Sequence, residues 1–153
     1  MQDVVADVVA DFQERLAARE QTVQVMMQPE VTAVYADPQR IKQVLTNLLR
    51  NAHQYSPDGG RIMVTMSQET GRVQTAVGDT GFGISAENQA NLFTPFFRAE
   101  DEAVRQQAGW GLGLAIVKNM VEAQGGAVWV ASVFGEGSTF TFALPSANTP
   151  NTE

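Results

Sequence analysis

Residues 43–57 of this 153-residue chain read QVLTNLLRNAHQYSP and carry its most informative structural pattern. They continue a pattern of apolar residues, spaced by three and four, that starts after Asp37-Pro38. Asp37 can cap a helix, and Pro38 suits a first helical turn. The turn-forming run SPDGG at residues 56–60 ends the pattern. We therefore predict a long helix from Pro38 to the start of this turn, with one apolar face.

Two amides interrupt the apolar run of this helix. Asn47 and Asn51 lie four residues apart, so they share one face. A buried amide without a partner is costly, which favours a polar function for the pair. From the pair alone, capping or pairing with nearby backbone is an equally good explanation. Amide oxygens also suit Mg²⁺, which keeps several waters and bridges substrate phosphates.

The sequence on both sides of this helix predicts a mixture of helices and strands. Apolar spacing predicts an amphipathic helix over residues 2–19 and further helices over 86–91 and 112–124. Alternation and β-branched residues predict strands over 22–27, 32–35, 61–67, 72–77, 127–133 and 139–144. The polar stretch 98–108 lacks periodicity and is interpreted as a mobile lid. We expect one domain over residues 1–146 and a disordered tail over 147–153.

Composition narrows the class of protein. The chain has ten Lys and Arg against 17 Asp and Glu, a net charge of -7, which argues against nucleic-acid binding. Its longest apolar stretches, such as 127–133, are too short to cross a membrane, so we expect no membrane contact by this chain. It contains no cysteine, which excludes disulfides and fits a cytoplasmic location, whether or not a parent protein is membrane-anchored.

Two glycine-rich segments follow, VGDTGFGI at residues 77–84 and GWGLGL at residues 109–114. Glycines let a backbone approach a ligand closely, and free amides at a helix start attract phosphate. Each segment alone is better explained by tight turns than by a ligand site. Neither is a Walker loop, since no Lys-Ser or Lys-Thr follows, and no early strand precedes the second as in a dinucleotide fingerprint.

Five segments taken together resemble the motifs of the histidine kinases, in the superfamily that also contains gyrase, Hsp90 and MutL. Residues 43–57 resemble the asparagine box, and residues 77–84 the first glycine box. LFTPFFR at residues 92–98 is similar to the phenylalanine box. GWGLGL at 109–114 and GEGSTF at 135–140 are similar to the later glycine boxes. The likeness covers about Val4 to Pro145.

The resemblance implies an α/β (α+β) two-layer sandwich, in which three main helices cover one face of a mixed, mostly antiparallel sheet beside an ATP lid. It also implies ATP and Mg²⁺ as cofactors. Asn51 would be the Mg²⁺ ligand, Asn47, Asn51 and Arg98 would be catalytic, and Asp79 would accept a hydrogen bond from the adenine amino group. The implied nucleotide-binding residues are Asn47, Asn51, Gln54, Tyr55, Asp79, Gly81, Gly83, Ile84, Phe93, Arg98, Gly109, Trp110, Gly111, Leu112, Gly113, Leu114 and Thr139.

The resemblance further implies a partner. Family members transfer the γ-phosphate of ATP to a histidine on a dimerisation and phosphotransfer domain, of the same kinase or a partner kinase, and a response regulator acts indirectly. Hydrolytic and serine-kinase members carry a glutamate where this chain has Asn47, which favours histidine phosphorylation. The single histidine, His53, lacks the sequence context of an acceptor.

Two departures from the family pattern keep another function open. Gln54 stands where many members have a phosphate-contacting lysine, and Trp110 stands where a small Ser or Thr is usual. A drifted pocket of this kind would suit a nucleotide-binding or protein-docking module without catalysis. An ATPase or serine kinase of the same fold is a third reading, which Asn47 disfavours.

Overall fold

The computed structural model describes residues 2–29, 31, 34, 36–89, 92–93 and 113–146. Its helices are α1 (Gln2–Ala18), α2 (Pro38–Tyr55), α3 (Ala86–Gln89) and α4 (Gly113–Ala123). Its strands are β1 (Thr22–Met27), β2 (Arg61–Glu69), β3 (Arg72–Asp79), β4 (Ala127–Val133) and β5 (Gly137–Pro145).

The five strands form one mixed sheet in the order β1-β2-β3-β5-β4. Only β1 and β2 are parallel; β2 with β3, β3 with β5, and β5 with β4 are antiparallel. The β3–β5 register places Asp79 opposite Ser138 and Val77 opposite Phe140. The C-terminal end of β3 therefore lies beside the N-terminal end of β5, next to the turn between β4 and β5. This junction sets the position of the site.

Helices cover one face of this sheet, because residues of alternate strand positions are apolar and point towards them. The apolar face of α2 is fully covered: Ile41, Val44, Leu45, Leu48, Leu49 and Ala52 are all buried. They meet strand residues such as Ile62, Val77 and Phe142 in one core. Helices α1 and α4 pack on either side of α2. The predicted two-layer sandwich, with three main helices on one face of a mostly antiparallel sheet, is confirmed.

The opposite face of the sheet is open. It exposes Met26, Met63, Trp129 and Val133 to solvent by 40 to 59% of their surface. Small residues fill the space between them, and Gly78 lies beside the hydroxyl of Thr139 on this face. No helix in the described ranges is both long and apolar enough to cross a membrane.

Most predicted elements have the expected positions. The strands predicted at 22–27 and 127–133 have those bounds in the structure. The prediction for β5 started two residues late, because Gly137 and Ser138 resemble a turn but pair with Val133 and Ser132 of β4. In the strand predicted at 32–35 only Val34 is described, and it forms a single bridge with Ser146. The lid at 98–108 and the tail at 147–153 lie outside the described residues.

Candidate functional site

The polar face of α2 supplies one wall of the candidate site. Asn47, Asn51, Gln54 and Tyr55 are all half-buried, and they lie along the flank of the helix next to its buried apolar face. The nearest side-chain contact to the amides is weak, since Arg50 donates to Asn47 Oδ1 at 3.4 Å. Both asparagines therefore lie on one face of α2, as their spacing of four residues predicts.

The C-terminal turn of α2 is capped by residues from the α1–β1 connection. The Arg19 guanidinium donates to the carbonyl oxygens of His53 and Ser56 and to Asp58 Oδ1, the last two at 2.7 and 2.9 Å. Gln21, which is 5% exposed, donates from Nε2 to the same two carbonyls at 3.1 Å. Cationic and amide donors here satisfy carbonyls that a helix end leaves unpaired. Neither residue was predicted from the sequence.

The same contacts define the environment of His53. Its Nδ1 lies 2.6 Å from Gln21 Oε1, and its ring meets Phe12 edge-on. Burial, followed by the positive charges of Arg19 and Arg15, lowers the pKa of His53 below 6.5. This histidine is therefore a neutral, structurally engaged residue at the end of α2.

The first glycine segment lies directly against this end of α2. The Phe82 amide donates to the Tyr55 carbonyl oxygen at 3.3 Å. A Cβ on Gly81 would collide with the same carbonyl oxygen. Glycine is therefore required at position 81 by the close approach of two backbones, and the contact places the segment beside Tyr55.

Asp79 is the charged group at the floor of the site. It ends β3 on the helix-facing side, and its Oδ1 accepts the Gly81 amide hydrogen at 2.9 Å. Burial raises the pKa of Asp79 from 3.8 to about 6, while hydrogen bonds from the Gly81 and Ser138 amides act in the opposite direction. A partly desolvated carboxylate with fixed orientation is suited to accept a hydrogen bond from a ligand amino group.

A serine pair beside Asp79 was not recognised in the sequence. Ser132 Oγ accepts the Ile84 amide hydrogen at 2.8 Å, and it lies 2.8 Å from both the Gly137 carbonyl oxygen and Ser138 Oγ. Gln89 Nε2 donates to the carbonyls of Ile84 and Ser132 at 2.7 and 2.9 Å. These bonds hold the first glycine segment on the β4–β5 turn.

The position of Thr139 differs from its predicted role. Residues 140, 142 and 144 of β5 point into the core, so strand alternation places Ser138 on the same side and Thr139 on the other. The Thr139 hydroxyl lies beside Gly78 on the open face. Thr139 is therefore replaced by Ser138 in the candidate site, a correction that the alternation of Phe140 and Phe142 could have supplied.

Apolar residues complete the described part of the site. Ile84 and Leu92 are each 7% exposed. Phe93 packs edge-on against Phe140, with 6.4 Å between ring centroids. Gly113 begins α4, and Leu114 in its first turn packs on the core. Arg98, Gly109, Trp110, Gly111 and Leu112 lie outside the described residues.

The described side chains offer a metal ion few charged ligands. Among the described residues no group of three His, Asp or Glu side chains could hold a metal ion. The α2 wall instead offers neutral oxygens, among them the amide oxygens of Asn47 and Asn51. Such a set fits Mg²⁺ that arrives with phosphate ligands of its own, because Mg²⁺ is seldom held by protein groups alone.

Comparison with known proteins gives consistent matches. Residues 36–148 match the family described as histidine kinase-, DNA gyrase B- and HSP90-like ATPases. The chain is 36% identical over 140 residues to the adaptive-response sensory kinase SasA of Nostoc sp. strain PCC 7120, which covers 91% of this chain and 34% of that protein. The chain therefore spans about a third of the length of this relative.

Solved structures agree with the fold. The mycobacterial sensor histidine kinase MprB superposes with a TM-score of 0.84 at 30% identity, over 95% of each chain. Full-length ShkA in complex with AMPPNP superposes with a TM-score of 0.82 at 30% identity, over 97% of this chain and 31% of that one.

Proposed function

Because this chain belongs to the family of histidine kinase-, DNA gyrase B- and HSP90-like ATPases, we propose that it binds ATP with Mg²⁺ and donates the γ-phosphate to a histidine on a separate dimerisation and phosphotransfer domain. The observation that carries the proposal is Asp79, a half-buried carboxyl group fixed by the Gly81 and Ser138 amides beside the asparagine face of α2.

In the proposed complex, one set of described residues contacts the adenine base and another set contacts the phosphates. Asp79 accepts a hydrogen from the adenine amino group, and Ile84 and Phe93 offer apolar contact to the base. Asn47, Asn51, Gln54 and Tyr55 face the triphosphate, with the Asn51 amide oxygen as a ligand of Mg²⁺. The metal ion neutralises phosphate charge, and the protein contributes positioning rather than a covalent nucleophile.

Residues outside the described ranges complete the proposal. Gly109, Trp110, Gly111 and Leu112, with Gly113 and Leu114 at the start of α4, supply backbone amides and cover for the phosphates. Arg98 stabilises charge on the transferred phosphoryl group. The response regulator receives the phosphoryl group from the histidine afterwards, so it is an indirect partner. The chain acts in the cytoplasm.

Histidine phosphorylation is favoured over hydrolysis by the residue at position 47. A glutamate there could act as a general base for water, whereas an amide cannot remove a proton. His53 is a poor candidate for the acceptor, because its Nδ1 is engaged by Gln21, its ring packs edge-on against Phe12, and its sequence context is not that of an acceptor. We therefore assign the acceptor histidine to another domain.

The test is phosphotransfer from γ-labelled ATP. The chain is fused behind a histidine-bearing dimerisation domain of a sensor histidine kinase, with a His→Ala acceptor as control. Label on the acceptor histidine, lost in Asn51→Ala and in the acceptor control, supports the proposal. Steady phosphate release by the chain alone, lost in Asn51→Ala, would instead support an ATPase.

A module without catalysis is the second candidate, favoured by Gln54 on the phosphate-facing side of α2 in place of a lysine. It predicts nucleotide binding with no label on the fused acceptor histidine. Gln54→Lys then tests whether the missing charge is the cause, since an added lysine should restore transfer.

A further inference from the structure

The hydroxyl of Ser132 is saturated by three hydrogen bonds, and their directions are determined by the partners. The Ile84 amide can only donate, so Ser132 Oγ accepts at 2.8 Å. The Gly137 carbonyl oxygen can only accept, so Ser132 gives its single hydrogen to that oxygen at 2.8 Å. The third contact, 2.8 Å to Ser138 Oγ, must then be donated by Ser138.

The directions of these three bonds determine which further hydrogen bonds the Ser138 hydroxyl can make. Its one hydroxyl hydrogen is committed to Ser132, so only its lone pairs remain for any other group. Ser138 lies next to Asp79 across the β3–β5 pair, and its amide donates to the Asp79 carboxylate. The floor of the pocket therefore carries two neighbouring acceptors, the Asp79 carboxylate and the Ser138 hydroxyl oxygen.

Other contacts keep this arrangement in place. Gln89 uses both hydrogens of Nε2 on the carbonyls of Ile84 and Ser132, which fixes the two backbones that meet at the Ser132 hydroxyl. Ser138 is 7% exposed, so water does not compete freely for its hydrogen.

We infer that Ser132 is a positioning residue for base selection: by taking the hydroxyl hydrogen of Ser138, it leaves two acceptors on the pocket floor and selects 6-amino purines over 6-oxo purines. This inference rests on the proposed nucleotide site. A 6-amino group can bring its two hydrogens directly to the acceptor pair. A 6-oxo group brings lone pairs in their place, so the neighbouring N1–H of the oxo purine can satisfy at most one of the two buried acceptors.

The experiment measures the dissociation constants of ADP and IDP with Mg²⁺ by calorimetry at pH 8, where Asp79 is ionised. Neither ligand has a γ-phosphate, so no transfer interferes. In Ser132→Ala the Ser138 hydrogen is free to turn towards a 6-oxo group. The preference for ADP over IDP should then fall by about tenfold, the scale of one buried unpaired polar group.

Further variants distinguish a positioning role of Ser132 from a general loss of structure. Ser132→Thr keeps a hydroxyl and should keep the preference, and Ser67→Ala, on the open face of β2, should leave it unchanged. In a Ser138→Ala background, Ser132→Ala should no longer alter the preference, because its effect passes through Ser138. If Ser132→Ala fails to fold, Ser132→Cys provides a weak acceptor of similar size and should lower the preference in the same direction.

The outcomes are distinguishable from those of the proposed function. Tight ADP binding by the unaltered chain, with an ADP over IDP preference that Ser132→Ala does not reduce, overturns this inference and leaves the proposed function intact. No binding of ADP by the unaltered chain overturns both.

Discussion

Asp79 combines two opposing influences in one carboxyl group. Burial favours its neutral form, whereas two backbone amides favour its charged form, and the pKa lies near 6 as a result. A ligand amino group that donates to the carboxylate would favour the charged form further. Nucleotide binding and the ionisation of Asp79 should therefore be coupled.

The first prediction at this scale concerns the pH dependence of affinity. The dissociation constant for ADP with Mg²⁺ should be constant near pH 8 and should rise as the pH falls through 6, towards about tenfold per pH unit. Calorimetry between pH 5 and pH 8 measures this. A curve that stays flat across pH 6 would contradict the role given to Asp79.

The second prediction concerns stability without ligand. Because the folded pKa, about 6, is above the ordinary value of 3.8, the folded state holds the proton more tightly. The resulting stabilisation is complete below pH 4 and is lost as the pH rises through 6. Asp79→Asn should therefore raise the free energy of unfolding at pH 8, by no more than about 3 kcal/mol, with a smaller difference at pH 4. Urea unfolding at both pH values checks the sign, and an equal or larger gain at pH 4 would refute it.

At the scale of elements, the contact between the first glycine segment and the β4–β5 turn depends on backbone approach. Gly83 has φ of 71°, and a Cβ there would collide with the Val133 carbonyl oxygen. Gly135 has φ of 86°, but nothing lies within 4 Å of its Cβ position. Alanine substitutions at these two glycines therefore distinguish the cost of a left-handed backbone from the added cost of a steric clash.

Alanine at these two glycines should have unequal costs. Gly135→Ala should lower the free energy of unfolding by about 1–2 kcal/mol, the cost of a left-handed residue with a side chain. Gly83→Ala should cost about 1–3 kcal/mol more, because overpacking is added. Equal losses in urea unfolding would show that the close contact at Gly83 is absent.

The cap on α2 gives another prediction for an element. Arg19→Ala removes donors to two helix-end carbonyls and to Asp58, so it should lower the free energy of unfolding by about 1–3 kcal/mol. Arg72→Ala, at an exposed position of β3, is the matched control and should change it by less than about 0.5 kcal/mol. Chemical denaturation measures both changes in the free energy of unfolding. Similar changes for the two variants would show that Arg19 does not stabilise the end of α2.

Some of these elements and contacts could be predicted from the sequence, and others depend on tertiary packing. Apolar spacing located α2 with its cap at Asp37, and the resemblance of residues 77–84 to a glycine box singled out Asp79, which ends β3 in the structure. Ser138 was missed because a glycine-rich turn concealed the start of β5. Gln89 and Ser132, which are 43 residues apart, meet only through tertiary packing, so no local pattern could have paired them. Arg19 and Gln21 escaped prediction for the same reason.

At the scale of the whole molecule, the chain matches one part of a longer relative. It covers 34% of the length of the Nostoc kinase that it resembles, and its single histidine, His53, lies in the last turn of α2. We therefore propose that this chain binds and orients ATP, and that a partner domain supplies the attacking group.

The most direct test of this account is a calorimetric titration of AMPPNP into the chain at pH 8, with and without Mg²⁺, for the unaltered protein and for Asp79→Asn. The account predicts micromolar-range binding, on the order of 8 kcal/mol, that Mg²⁺ strengthens and Asp79→Asn abolishes. Binding that is equally strong in Asp79→Asn, or no binding by the unaltered protein, would contradict the central claim that Asp79 forms the floor of a nucleotide site.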